Sequence, residues 1–335
     1  MSVTVRDVAR LAGVSTATVS RALRGFPTVG EDIRAQVLDA ADRLGYVGSH
    51  AAAALSTGRT GCVGVITPFV NRLAFQRMLA GVEHELRAER VDLMLHCTGD
   101  PSDPHPVPPH KRLARRVDGF IVLSLSAESP DLAEILKLPL PTVMFGPQAP
   151  GVAGVETDDR GGAASATQLL ADRGHRRIGV IYGREWDNPS VLEYQRRQGV
   201  EDVLERLGLP LPEERRRPGG FIMRGGHRAM LELLDRPEPP TGVFAFSDEM
   251  AYGAVQALRE RGLTPGRDVA LIGYDGHEMS DIVGLSTMHV PFEQIGAALA
   301  RQMLAALGLG GPAEAHIIVP PVLIERASTR PDAAL

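Results

Sequence analysis

Two sets of side chains in this 335-residue chain have types and spacing suited to recognition rather than to bond making. The first is Thr16, Ala17, Ser20 and Arg21, small or hydrogen-bonding residues on the outer face of a short helical pattern. Hydroxyls, a methyl and a guanidinium so placed are what reading of DNA base edges requires. The second set stands where apolar runs end: Thr67, Pro68, Ser124, Gly146, Tyr182, Ser247, Asp248 and Asp275. In open α/β sheets a ligand sits beyond the carboxyl ends of the strands, so these residues would surround it.

The first set needs a helix to carry it. Thr4 and Asp7 have capping-box spacing: the Thr4 hydroxyl can accept from the backbone N–H three residues on, and Asp7 favours the positive helix start. Val5, Val8, Ala9 and Ala12 recur at helical spacing, and Gly13 supplies a left-handed turn. Ser15 then caps a second helix whose Val19 and Leu23 face back toward the first. A third helix has Gly30 as N-cap, acids at Glu31 and Asp32, and an apolar stripe of Ile33, Val37, Ala40, Ala41 and Leu44; Gly45 ends it. The unit suits placing one helix in the DNA major groove. An ordinary helical hairpin fits the same spacing.

The second set needs a parallel sheet. Strands are expected at 62–68, 91–96, 117–124 and 141–146, with an amphipathic helix over 73–89. The alternation restarts after Val155-Glu156-Thr157-Asp158-Asp159, with helices at 162–173, 194–207 and 249–261 and strands at 177–182, 242–248 and 269–275. Near-continuous apolar strands alternating with helices imply parallel sheets covered on both faces. Two such lobes joined by crossing segments form a cleft.

Composition narrows the function. The net charge of −5 argues against non-specific coating of nucleic acid. The first sixty residues are nevertheless basic, through Arg6, Arg10, Arg21, Arg24, Arg34, Arg43 and Arg59. Cys62 and Cys97, the only cysteines, make neither a disulfide framework nor a zinc site, and are expected as reduced thiols on neighbouring buried strands. His96, His105 and His110 fit no standard metal spacing. No dinucleotide fingerprint, Walker loop or nucleophile elbow occurs, so catalysis is not expected, nor a cofactor. The chain opens on its helical unit without an apolar signal segment, which points to a soluble cytoplasmic protein that does not engage membranes.

Asp7-Val8-Ala9, Gly13-Val14-Ser15, Thr18-Val19-Ser20-Arg21, Leu44-Gly45-Tyr46 and Leu55-Ser56-Thr57-Gly58-Arg59-Thr60 resemble the LacI/GalR family of bacterial transcriptional regulators. Ser247-Asp248-Glu249-Met250-Ala251 and Ile272-Gly273-Tyr274-Asp275 extend the resemblance into the body. It implies an α/β fold: an N-terminal three-helix helix-turn-helix module at 1–47, a hinge helix or linker at 48–60, and a two-lobed periplasmic-binding-protein-like body of doubly wound parallel sheets at 61–335. In the first unit it implies base reading by Thr16 and Ala17, a base or phosphate contact by Arg21, and phosphate-contacting or capping roles for Thr4, Ser15, Thr18 and Ser20. Leu55 falls at the position of a minor-groove wedge.

In the cleft the resemblance implies effector contacts by Arg196 and Asp275, with Phe75 and Phe292 nearby. Arg beside Asp suits vicinal hydroxyls, since each makes charge-assisted bonds to them. Trp186, the only Trp, is either a stacking platform for a sugar face or a surface anchor. Asp248 is either an effector contact or the cap of the helix that follows it. Three departures stand out: Gly48-Ser49 in place of a usual Pro-Asn, Gly146-Pro147 where an Asp-Arg pair is common, and proline-dense 99–110 in place of a helix. The implied function is a homodimeric regulator of palindromic operator DNA, a repressor controlled by a small effector, most simply a sugar. The other reading within the family is a corepressor-dependent regulator that senses a purine or sugar phosphate. An enzyme or a pure solute-binding protein would share only the body.

Overall fold

Helix α1 (Val5–Leu11) starts where Asp7 reaches back to Thr4. The Asp7 carboxylate accepts from the Thr4 N–H at 3.0 Å and from the Thr4 hydroxyl at 2.6 Å. A computed structural model describes residues 3–23, 28–46, 58–100, 103–104, 110–125, 130–146, 149, 151–184, 186 and 191–330. These fall into two compact units, Met1–Gly61 and Cys62–Leu335.

In the first unit, Gly13 turns the chain at φ +62°, and the Val14 N–H closes on the Ala9 carbonyl at 3.1 Å. Ser15 caps α2 (Thr16–Leu23): its Oγ accepts from the Thr18 N–H at 3.0 Å. Helix α3 (Glu31–Leu44) runs from Gly30 to Gly45, whose φ of +61° ends it. Val8, Ala12, Val19, Ala22, Val37 and Ala40 form the centre of a small core. Ile33, expected in that core, is 40 % exposed instead, because the inner face of α3 is carried by Val37, Ala40 and Ala41. Leu55 and the rest of the expected hinge helix lie outside the described residues, apart from Gly58, Arg59 and Thr60.

The second unit begins with β1 (Cys62–Thr67), α4 (Leu73–Ala88), β2 (Asp92–Cys97), a short pair β3 (Gly99–Asp100) and β4 (Asp103–Pro104), and α5 (His110–Leu113). β5 (Gly119–Leu123), α6 (Pro130–Leu136), β6 (Thr142–Phe145), β7 (Ala153–Thr157), α7 (Asp159–Asp172), β8 (Ile178–Tyr182) and α8 (Val191–Arg206) follow. Then come β9 (Arg216–Pro218), α9 (Met223–Leu234), β10 (Gly242–Ala245), α10 (Asp248–Glu260), β11 (Ala270–Asp275), α11 (Met279–Ile282) and β12 (Ser286–His289). Last are α12 (Phe292–Ala306), β13 (His316–Val319) and β14 (Val322–Ile324).

These strands form two six-stranded sheets. The first, ordered β13-β7-β6-β5-β1-β2, is parallel throughout. The second, ordered β14-β12-β11-β10-β8-β9, is parallel except where β14 joins β12. The chain therefore passes between lobes three times: at 157–159, at 289–292 and at 319–322. Helix α12 and strand β13, late in the sequence, belong to the first lobe. Gly296 abuts the backbone of Met78, and Gly81 that of Glu293, so α12 and α4 meet at a distance no larger residue permits. A simple restart of the alternation does not foresee this return.

Cys62 and Cys97 do lie on adjacent strands, but at opposite ends, with Cys62 opposite Asp92 and Cys97 opposite Thr67. Both are only partly buried: Cys97 because β2 is the edge of its sheet, and Cys62 because it is the first residue of β1. Burial and the nearby Asp92 and Asp118 push the Cys62 thiol up to about 11.

Candidate functional site

In the helical unit the candidate reading face is solvent-facing. Thr16, Ala17 and Arg21 are exposed, while Val19 and Ala22 of the same helix are buried. Thr18 and Ser20 are half-buried. The Thr18 hydroxyl is 2.8 Å from that of Ser15, so it belongs to the cap. Thr4 is likewise engaged by Asp7.

In the body a cavity of about 220 Å³ opens between the two sheets, at the carboxyl ends of their strands. Of the expected residues, Pro68, Phe75, Ser124, Arg196, Ser247, Asp275 and Phe292 line it. Ser124 and Asp275 end β5 and β11 with φ of +57° and +108°. Backbone of this kind costs of order 1–3 kcal/mol and persists only where the surroundings hold it. Here the Val290 N–H, on a crossing segment, donates to the Asp275 carbonyl at 3.2 Å. The Gly276 N–H is held by the Thr287 hydroxyl at 3.2 Å.

Arg196 organises the polar wall. It is 7 % exposed, and its Nε donates to Asp159 Oδ1 at 2.6 Å. One Nη donates to the Phe246 carbonyl, and the other lies 3.7 Å from Asp275 Oδ1. Its guanidinium carbon stands 3.8 Å above the Tyr274 ring centroid. Burial works against the arginine's charge, but Asp159 and Asp275 outweigh it and its pKa rises. Asp159 also accepts from the Thr157 hydroxyl, so its carboxylate is satisfied within the protein. Asp275 is raised well above the usual carboxylate range, first by burial and then by Asp248 and Glu249, with Arg196 opposing. The result is a carboxyl group and a guanidinium side by side in a buried wall, each with capacity left for a hydroxyl.

Two expectations are corrected. Asp248 does not line the cavity. Its carboxylate accepts from the His277 N–H at 2.7 Å, the Ser280 hydroxyl at 2.9 Å and the Thr287 hydroxyl at 2.6 Å. It ties α10 to β12 and to the loop after Asp275. Burial pushes its pKa up to about 6, with those hydrogen bonds opposing. Trp186 is neither platform nor anchor: it packs inside the second lobe, 5.1 Å from the Tyr182 ring and 6.4 Å from that of Phe246. Of the other strand ends, Thr67 turns inward to the Phe69 carbonyl at 2.9 Å, and Gly146 and Tyr182 stand outside the lining.

Sequence reasoning missed Arg72, Glu193, Phe221 and Glu249, which also line the cavity. Glu193 precedes Arg196 by three on α8, and Glu249 follows Ser247 at the start of α10, so helical spacing held a signal for both. Arg72 and Phe221 lie just before helices and carry no local signal. Arg72 donates to the carbonyls of Phe221 and, at 3.1 Å, Gly220.

The family model "Bacterial regulatory proteins, lacI family" matches residues 4–49, and "Periplasmic binding protein-like domain" matches residues 167–329. The ribose operon repressor of Escherichia coli is 31 % identical over 330 residues, covering 97 % of this chain and 99 % of that protein. This chain belongs to the LacI family of bacterial transcriptional regulators.

A solved structure of the regulator CelR with cellobiose is 30 % identical, with a TM-score of 0.67, and covers 97 % of this chain and 99 % of the other. A lac repressor dimer bound to operator shares the fold at a TM-score of 0.85 and 24 % identity, covering 98 % of this chain and all of the other. A LacI-family regulator binds DNA and is not an enzyme, in keeping with a cleft built of hydrogen-bonding and aromatic groups. Among the described residues no helix is long and apolar enough to cross a membrane, and no group of His, Cys, Asp and Glu is arranged to hold a metal.

Proposed function

We propose that this regulator is a cytoplasmic, homodimeric repressor whose hold on a palindromic operator is set by a neutral polyol, most simply a sugar, in the interlobe cavity. The balance of charge in the lining supports a neutral ligand: Arg72, Arg184 and Arg196 face Glu193, Glu249 and Asp275. A phosphate would meet the acids Glu193 and Glu249 as well as the arginines, whereas hydroxyls can donate to the acids and accept from the arginines. Phe75 and Phe292 offer apolar surface to a ring, and Ser124 and Ser247 add hydroxyls. The ribose operon repressor and the CelR–cellobiose complex carry sugars in their names, which favours the same class.

The helical unit, 1–47, would read one half-site and the segment 48–60 would serve as the hinge. Thr16, Ala17 and Arg21 would contact bases, with Thr4, Ser15, Thr18 and Ser20 at the phosphates or in the caps. One recognition helix reads only a half-site, so a two-fold dimer matches a palindrome. Effector and operator affinities are then reciprocally coupled.

The deciding experiment is a thermal-shift screen of the full chain against monosaccharides, disaccharides, sugar phosphates, nucleosides and purine bases, followed by operator titration with the hit. Stabilisation by a neutral sugar that also weakens operator binding is the expected result. A purine or sugar phosphate that tightens operator binding would replace repression by induction release with corepression. Leu55→Ala is expected to weaken specific operator binding and leave effector affinity intact. Unchanged operator affinity would remove the wedge role from Leu55.

A further inference from the structure

We infer that Arg72 and Glu249 form a two-way latch that draws the lobes closed over the cavity through protein contacts alone. Arg72 belongs to the first lobe, between β1 and α4, and Gly220 and Phe221 to the second, between β9 and α9. One Arg72 Nη donates to the Gly220 carbonyl at 3.1 Å, and the other donates to the Phe221 carbonyl. From the other lobe, Glu249 in the first turn of α10 lines the same cavity; burial raises its pKa, with the Arg72 charge and the Leu73 backbone N–H opposing. A carboxylate on the exposed N–H groups of a helix start is favoured by both hydrogen bonding and the helix dipole. Each lobe thus supplies a charged side chain at this point: Arg72 satisfies two carbonyls of the second lobe, and Glu249 of the second lobe carries the opposite charge.

Aromatic rings complete the latch. The Arg72 guanidinium lies 4.9 Å from the ring centroid of Phe69, on its own lobe, and 5.8 Å from that of Phe221, across the cleft. Both distances are in the range where a cation is attracted to a π face. The planar fork of Arg serves two carbonyls while stacking, which a Lys cannot reproduce. Farther out, Arg77 of α4 reaches Glu278 of the second lobe at 3.9 Å, an exposed pair of little consequence. The latch is part of the wall of the ligand cavity, because Phe69, Arg72, Phe221 and Glu249 all line it. A cleft closed by its own residues shifts the population toward the closed state, and a ligand then adds only its differential affinity for that state.

The inference concerns the same cavity as the proposed function but does not depend on the effector class, so its test uses no ligand. Spin labels at Arg87→Cys on α4 and Arg228→Cys on α9, in a full chain carrying Cys62→Ser and Cys97→Ser, report the lobe-to-lobe distance by double electron–electron resonance. Dilution with unlabelled protein keeps the signal within one chain. The latch-intact chain is expected to give one narrow distance distribution. Arg72→Ala and, independently, Glu249→Gln should broaden it and lengthen its mean by more than about 2 Å. Circular dichroism melting of the same chains checks that each remains folded. Glu249→Gln removes a charge with almost no change of volume, so it keeps the test open if Arg72→Ala folds poorly. A latch-intact distribution already as broad as the variants', or variant distributions that match it, would overturn the inference.

Discussion

The helical unit and the interlobe cleft both present candidate recognition side chains, but they hold them in opposite ways. In the helical unit the supporting contacts span three residues: Thr4 with Asp7, Ser15 with Thr18. Its candidate reading residues Thr16, Ala17 and Arg21 are exposed and take part in no core. In the body, Arg196 is held by Asp159, 37 residues away, and Arg72 by Gly220, 148 away, while Asp248 behind the cleft is held by Thr287, 39 away. Those groups are buried or half-buried, so recognition and stability draw on the same atoms. A surface reader can be changed at little cost to the fold, whereas a buried binding pair cannot.

The largest test of that contrast is Asp159→Ala. It leaves the Arg196 charge buried with Asp275, at the longer 3.7 Å, as its remaining ion-pair partner, and removing one member of a buried pair typically costs about 3–5 kcal/mol. A loss under about 1 kcal/mol in urea unfolding would mean that water or Asp275 takes over and that the wall is less rigid than its geometry implies.

Asp248 gives a pH test. Its folded pKa of about 6 lies above the ordinary 3.8, so the folded chain binds its proton more readily than the unfolded one. Stability from this group is therefore full below about pH 4 and is lost as pH rises through 6. Relative to Asp248→Asn, the native chain should gain about 2 kcal/mol between pH 7 and pH 4, most of what two pKa units imply. A stability difference between the two chains that stays flat with pH would place the carboxylate in a wetter site than its burial indicates.

Ser15→Ala removes the cap of α2 and should cost about 1 kcal/mol, seen in the melting of the helical unit. Arg21→Ala should cost within about 0.5 kcal/mol of stability, as exposed substitutions do. It should still weaken specific operator binding by about 1–3 kcal/mol if the guanidinium reads a base. A stability loss as large as that of Ser15→Ala would mean that Arg21 supports the unit instead of reading DNA.

The legibility of each region follows from the range of its contacts. Capping residues, the Gly13 turn and the Val19 stripe are local patterns with a local cause, and α1, α2 and α3 form where those patterns place them. Ile33 was misplaced because an apolar residue near a helix start fits the period without facing the core. In the body, the strand-end rule located Ser124, Ser247 and Asp275 in the cavity, since polar residues that end apolar runs lie beyond the sheet. The same rule overreached at Asp248, where neighbouring β12 and the loop beyond Asp275 supply enough donors to satisfy the carboxylate internally.

Local sequence determined the elements, the caps, the two-lobed α/β class and the polar strand ends, because each depends on periodicity and spacing within a few residues. Tertiary structure alone decided the return of α12 and β13 to the first lobe and the burial of Trp186. It alone decided the backbone strain at Asp275 and the approach of Arg72 to Gly220 across the cleft. These depend on which distant surfaces meet, and no local pattern in a chain encodes that meeting.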